Sequence, residues 1–142
     1  PRVFDACDYI TLDDGERPDS PRVLNTVGPG VMVAYHAFLE QRDERLTTLP
    51  NAERFVELAT AGDPATRHLA IHAGHLTELN EIDRQVITGD AMGIAPLLCE
   101  ASALPARLEQ LAGNGITEVA FQPMGDIERE LRAFAAAAGL GA

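Results

Sequence analysis

The sequence predicts a helix-rich α/β fold with a few parallel strands, and three observations near its C-terminal end carry this prediction. Leu108, Leu111 and Ala112 recur at helical spacing before a glycine-rich turn. The run 116–121 contains β-branched residues, is too short for a helix and lies between turn signals. The alanine-rich stretch 126–138 has helical periodicity again, with Leu131, Phe134, Ala135 and Ala138 on one apolar stripe. Helix, strand and helix in this order are typical of α/β proteins with parallel strands.

The N-terminal part is predicted to begin with a strand and to continue with helices. Residues 3–12 are apolar enough to form the strand or its end. Ser20 then caps a helix that has Pro21 at its first position. The glycine and proline residues at 28–30 interrupt this helix, so that it either kinks there or gives way to a second helix over residues 31–45.

The middle of the chain is predicted to contain one clear helix and several less regular segments. The helix begins after Pro50 and ends at the turn formed by residues 62–64. Residues 67–72 fit a strand that ends near Gly74, and a helix is the alternative. Helix-like polar residues follow at 77–86, and residues 88–104 are predicted to be a loop with a short helical turn.

Three segments carry a resemblance to a known family. They are DSPR with VGPG in residues 19–30, RHLAIHAGHL at 67–76, and LEQLA, GITEV, QP and ELRAF in residues 108–134. In this order they resemble the C-terminal part of the luciferase-like oxidoreductases and monooxygenases, which bind F420 or a flavin in a (β/α)8 barrel. The resemblance implies the C-terminal half of a (β/α)8 TIM-type barrel. It also implies that reduced F420, or alternatively FMN, acts on a small-molecule substrate.

The length of the chain limits what it can form alone. A whole (β/α)8 barrel needs about 250 residues, and this chain has 142. We therefore predict a single domain, residues 1–142, that is a C-terminal half-barrel fragment. By itself this fragment is expected to be incomplete as an enzyme. Such a fragment leaves an open sheet edge, and we expect a homo-oligomer or a missing N-terminal half to cover it. The alternative function is a non-catalytic half-barrel assembly module.

Composition excludes several classes of partner. The formal net charge is −11, and all 11 basic residues other than histidine are arginines. An acidic chain without a basic stripe is not expected to bind nucleic acid or an anionic membrane. Cys7 and Cys99 lie far apart without metal or redox spacing, which favours a reduced, cytoplasmic protein. Without lysine, any side-chain cation on a phosphate has to come from arginine or histidine.

The barrel resemblance implies where a cofactor would bind. Barrel active sites lie at the C-terminal ends of the strands, and a phosphate site often forms from the last two strand-to-helix loops. If 67–72 and 116–121 are those strands, the loops contain two glycines whose backbone could approach a phosphate. Two ordinary tight turns are the alternative, and Asp126 competes with an anion as a helix cap. The predicted cofactor-binding residues are His72, Gly74, His75, Gln122 and Gly125.

Three histidines form the sharpest local pattern. If residues 67–76 were helical, His68, His72 and His75 would lie on one face and could hold a metal ion. No acidic residue stands at the spacing of a metalloprotease motif, so we assign no metal site and name no catalytic residue. A small histidine metalloprotein is the third functional hypothesis.

Overall fold

The computed structural model describes residues 2–140, and within them the backbone but not the side chains of residues 4–8. This part of the chain forms strands and α-helices, with short 3-10 turns at Glu44–Thr48, Ala91–Ile94 and Ala101–Ala103. In chain order the elements are β1 (Phe4–Tyr9), β2 (Thr11–Leu12), α1 (Pro21–Gln41), α2 (Ala52–Thr60), α3 (Arg67–Ile71), α4 (Glu81–Val86), β3 (Cys99–Glu100), α5 (Leu104–Gly113), β4 (Glu118–Pro123) and α6 (Ile127–Ala137). The prediction of a helix-rich α/β fold with few strands is confirmed.

Both strand pairs are parallel, and each joins an N-terminal strand to a C-terminal one. β1 pairs with β4, with Phe4 opposite Glu118 and Tyr9 opposite Pro123. β2 pairs with β3, with Thr11 opposite Cys99. The strand predicted at 116–121 therefore exists two residues further along the chain. Because β1 and β4 run in the same direction, their carboxyl ends lie at the same edge of the sheet.

Helix α1 runs through the segment that was predicted to interrupt it. Ser20 caps the helix by accepting a hydrogen bond from the Val23 N–H, as the sequence indicates. Pro29 lies inside the continuous helix and is buried, so the prediction of a second helix starting at residue 31 is wrong. A Cβ atom on Gly28 would lie 3.0 Å from the Ile87 side chain. This close packing against a distant segment of the same chain explains why tertiary contacts override the local preference for a break.

The buried side chains form two clusters. The larger one surrounds α1 and α2, and its fully buried members include Met32, Tyr35 and Phe55. The smaller one contains Tyr9, Leu97, Cys99 and Leu104, and it packs beneath the β1–β4 pair. In the smaller cluster the Tyr9 ring meets Phe121 at 5.5 Å and Phe134 at 5.6 Å, both edge to face.

Residues 67–72 are helical rather than extended, so the favoured strand prediction for this segment is wrong. The Arg67 N–H donates to the Asp63 carbonyl and the His72 N–H donates to the His68 carbonyl, which are helical hydrogen bonds. The Asp63 side chain also accepts from the Ala65 N–H, which stabilises the first turn. The short apolar alternation of residues 67–72 does not distinguish a strand from a helix, so this sequence pattern alone could not decide between them.

Helix α6 exists as predicted, but a different face of it points inward. Asp126 caps it by accepting from the Arg129 N–H. Leu131 is 46% exposed, whereas Glu130 is only 1% exposed. Phe134 packs inward as predicted, but the buried face is rotated away from Leu131 because Glu130 is held inside by hydrogen bonds from Thr11.

No helix within residues 2–140 has the length and the apolar character needed to cross a membrane.

Candidate functional sites

A polar cluster lies at the carboxyl edge of the β1–β4 pair, and its centre is Thr11. The Thr11 backbone N–H and hydroxyl donate to one oxygen of Glu130, at 2.6 and 2.7 Å. The Thr11 carbonyl accepts from Arg22 at 2.9 Å and from Arg129 at 3.1 Å. Two guanidinium groups thus converge on one backbone oxygen. We call Thr11, Glu16, Arg22, Arg129 and Glu130 the carboxyl-edge site.

The two arginines of this site are balanced by carboxylates but still reach solvent. Arg22 forms an ion pair with Glu16, and the hydrogen bond from Arg22 lowers the pKa of the Glu16 carboxyl to about 2. Arg129 pairs with Asp13 at 2.8 Å. The Arg22 and Arg129 side chains are 37% and 36% exposed. Part of each arginine side chain is therefore open to solvent.

Two buried polar atoms lie beneath the carboxyl-edge site. Within the described residues, the Tyr9 hydroxyl and Oε1 of Glu130 have no hydrogen-bond partner. The Arg129 Nε atom is 3.5 Å from this Glu130 oxygen, so the two are an ion pair without a hydrogen bond. Burial, assisted by the Glu130 charge, raises the pKa of the Tyr9 phenol and keeps it protonated. Unpaired polar atoms of this kind are rare in folded proteins and indicate a place for a further polar group.

Two of the predicted cofactor-binding residues belong to this end of the molecule. Gln122 lies near the end of β4, and its side chain is exposed. Gly125 has a φ of +68°, which lets the chain turn sharply from β4 into α6. Asp126 occupies the capping position of α6, as the sequence predicts, and so takes up the N–H group that an anion would use.

The other three predicted residues lie near a different part of α1. A Cβ atom on Gly125 would contact Thr26 at 3.6 Å, whereas His75 contacts His36. Thr26 and His36 are ten residues apart in the same helix (36 − 26), which corresponds to about 15 Å along its axis. The structure therefore separates His72, Gly74 and His75 from Gln122 and Gly125 and makes two sites where one was predicted.

The second site is a group of three histidines, His36, His72 and His75, which we call the histidine cluster. The Nδ1 atom of His75 is 3.3 Å from Nδ1 of His36 and 3.4 Å from Nδ1 of His72. One ring nitrogen from each residue lies within 4.8 Å of the other two. The Nε2 atom of His36 contacts Asp83 at 2.9 Å, and that of His72 contacts Glu40 at 2.6 Å.

The surrounding chain holds these rings in place. The His36 side chain is 4% exposed and lies between the Phe55 ring, at 5.7 Å, and the His75 ring, at 5.5 Å. His72 directly follows α3, and Gly74 then adopts a φ of +67° that turns the chain back. The Asn80 side chain donates to the Ile71 carbonyl and ties this turn to α4. A short helix and a tight turn thus bring His72 and His75 against α1.

Sequence reasoning identified only part of each site. His68 was grouped with His72 and His75, but its side chain is exposed and the cluster uses His36 instead. The available signal for His36 was its spacing from Glu40, one helical turn later on the same helix face. The Glu40 carboxylate binds His72. At the carboxyl-edge site, Arg22 and Arg129 were missed. The absence of lysine makes every arginine a candidate for anion binding, and this was the available signal for Arg22 and Arg129.

No protein family, curated protein or solved structure was found to match this chain.

Proposed function

We propose that this chain is the C-terminal half of a (β/α)8-barrel oxidoreductase of the luciferase-like type, using reduced F420 or, alternatively, FMN on a small-molecule substrate. The observation that carries the proposal is the convergence of Arg22 and Arg129 on Thr11 at the carboxyl edge of β1 and β4. In α/β proteins, ligands bind beyond the carboxyl ends of parallel strands. Both proposed cofactors carry a phosphate group, which guanidinium groups bind well.

The residues present fit such a cofactor. Arg22 and Arg129 would hold the phosphate, because both are cations whose side chains are partly open to solvent. Thr11 fixes Glu130 beside Arg129 and so keeps that guanidinium at the edge of the sheet. When bound, the cofactor itself supplies hydride transfer or oxygen activation.

The open sheet supports the proposal that a further part of the protein completes this site. Each parallel sheet in residues 2–140 has two strands, whereas parallel sheets are normally covered on both faces. We propose that a second copy or an N-terminal half supplies the missing strands and the catalytic groups. In that arrangement this chain contributes the cofactor phosphate site.

The test is an absorbance titration of the purified chain with F420 and with FMN, comparing Arg129→Gln with Arg132→Gln. Arg132 lies one turn further along α6, is 78% exposed and pairs only with Glu128 in the described residues. We expect saturable binding by the wild type. Loss of one charged hydrogen bond at Arg129 is expected to weaken binding about tenfold, and Arg132→Gln should bind like the wild type. Equal loss in both variants, or no binding at all, would contradict the proposal.

A non-catalytic assembly module is the second candidate, and one observation favours it. Ile127 and Leu131 lie one turn apart on α6 and are 55% and 46% exposed. Adjacent exposed apolar side chains are typical of a contact surface. A dimer on a sizing column that binds neither cofactor, and that Leu131→Asp converts to a monomer, would support this candidate over the oxidoreductase.

A further inference from the structure

We propose that the histidine cluster is a zinc site in which His36, His72 and His75 bind Zn²⁺ through their Nδ1 atoms and leave a fourth position open. Three imidazole ligands with one open position are typical of catalytic zinc sites. The proposal is independent of the cofactor site, since Arg22 of that site and His36 are 14 residues apart in α1 (36 − 22), which corresponds to about 21 Å along its axis.

The hydrogen bonds of the outer nitrogens determine which inner nitrogens can bind a metal. The carboxylates of Asp83 and Glu40 are acceptors, so Nε2 of His36 and Nε2 of His72 carry the protons that they donate. In a neutral imidazole the other nitrogen then has a free lone pair. Nδ1 of His36 and Nδ1 of His72 therefore both present lone pairs to His75.

As neutral rings, the three histidines cannot satisfy all of these lone pairs themselves. Nδ1 of His75 has at most one proton, but it faces two acceptors, at 3.3 and 3.4 Å. With all three rings neutral, at least one of these contacts lacks a well-placed proton, which is unfavourable. A divalent ion at the centre accepts electron density from all three nitrogens and removes this conflict.

The distances match the geometry that zinc requires. Zn–N bonds are about 2.0–2.1 Å long, and in a tetrahedral site two nitrogen ligands are then about 3.3–3.4 Å apart. Two of the three Nδ1–Nδ1 distances are 3.3 and 3.4 Å, and the ligand nitrogens of all three residues lie within 4.8 Å of one another. Two edges of the ligand triangle thus already have the length that a tetrahedral zinc ion requires.

The surroundings also have the features of a metal site. Histidine ligands in metal sites donate their outer N–H to a carboxylate, which orients the ring and strengthens its lone pair. Asp83 does this for His36 inside the protein, where both side chains are at most 4% exposed. Glu40 does it for His72 at the surface, where the His72 side chain is 33% exposed. The side of the cluster near His72 is thus open to solvent, and water or a small anion could occupy the fourth position.

The experiment uses the tag-free chain, stripped of metal with a chelator and titrated with Co²⁺ and then with Zn²⁺. Co²⁺ should give the visible absorption bands of a tetrahedral complex at one ion per chain, and Zn²⁺ should displace it. His75→Ala should weaken Zn²⁺ binding by more than the roughly 10–100-fold that loss of an outer carboxylate costs. Asp83→Asn should fall within that range.

His68→Ala is the matched control, because His68 is the one histidine outside the cluster. It should bind Zn²⁺ like the wild type. Circular dichroism of each variant shows whether it is folded, and His72→Ala at the surface replaces any variant that is not. The proposal is overturned if the wild type takes up no zinc ion, if His75→Ala and His72→Ala bind like the wild type, or if His68→Ala loses as much affinity as they do.

Discussion

The helical region and the sheet region of this protein differ in how fully they bury their side chains. In the helical region, formed by α1 to α4, side chains such as Met32, Tyr35 and Phe55 are fully buried. In the sheet region, formed by β1, β4, α5 and α6, the residues of β4 alternate between exposed and half-buried. The helices surround their own core, whereas β4 has one face packed and one face open.

This difference follows from how the two kinds of structure bury apolar surface. Helices can pack on each other from all sides and close a small core. A parallel sheet needs a layer on each face, and here Val119 and Phe121 pack against α5 and α6 while Glu118 and Gln122 face outward. The sheet region is therefore where a partner would add the most buried area, in agreement with the half-barrel proposal.

The largest expected effect comes from comparing two phenylalanines that make the same kind of contact. Phe55 meets Tyr35 edge to face at 5.4 Å, and Phe121 meets Tyr9 edge to face at 5.5 Å. Phe55→Ala should lower the free energy of unfolding by about 3–5 kcal/mol, since it leaves a cavity in a closed core. Phe121→Ala should cost about 1–2 kcal/mol, because a half-buried ring removes less apolar area from water. Urea unfolding followed by circular dichroism measures both.

Equal losses in the two variants would show that the sheet region is as well packed as the helical region. The comparison also has a second readout. If a partner covers the sheet region, the cost of Phe121→Ala should rise with protein concentration, and that of Phe55→Ala should not.

The sequence predicted the helices and strands of the sheet region better than it predicted the carboxyl-edge site of that region. Helix α5 and helix α6 were found from periodicity, and β4 was placed within two residues. The buried face of α6 could not be predicted from the sequence, because it depends on the contact between Glu130 and Thr11, which are 119 residues apart in the chain. Local patterns carry no information about a contact of that length. The carboxyl-edge arginines were missed for the same reason.

In the helical region the sequence found two members of the histidine cluster and the wrong third one. His72 and His75 are close in the chain, so their spacing was visible. His36 comes from α1, 36 residues before His72 in the chain (72 − 36), so its place in the cluster depends on tertiary packing that local spacing does not show.

A smaller difference is expected between two turn glycines, one in each region. Gly74 and Gly125 have nearly the same φ, +67° and +68°, so alanine costs about 1 kcal/mol of backbone strain at either position. At Gly74 the new Cβ would also lie 2.3 Å from Cγ of Glu78, whereas at Gly125 the nearest contact is an ordinary 3.6 Å. Gly74→Ala should therefore cost about 2 kcal/mol in total. Thermal unfolding compares the two. Equal costs would mean that the exposed Glu78 side chain moves aside freely.

The smallest effect concerns the loop between the regions and depends on pH. Arg22 lowers the pKa of the Glu16 carboxyl from its ordinary value of 4.5 to about 2. A lowered carboxyl pKa stabilises the folded state fully above pH 4.5, and this contribution is lost as the pH falls from 4.5 to 2. Because Arg22 is partly exposed and water screens the pair, Glu16→Gln should cost about 1 kcal/mol at pH 7.

The stabilities of Glu16→Gln and the wild type should then converge as the pH falls toward 2, which urea unfolding at a series of pH values measures. Asp19→Asn is the matched control, since Asp19 pairs with Arg17, whose side chain is 80% exposed. Its effect should be smaller than that of Glu16→Gln at pH 7. A constant difference between Glu16→Gln and the wild type at all pH values would show that Glu16 acts through packing. In that case the Glu16 charge would not be what holds Arg22 at the carboxyl edge, and side-chain packing alone would connect the two regions there.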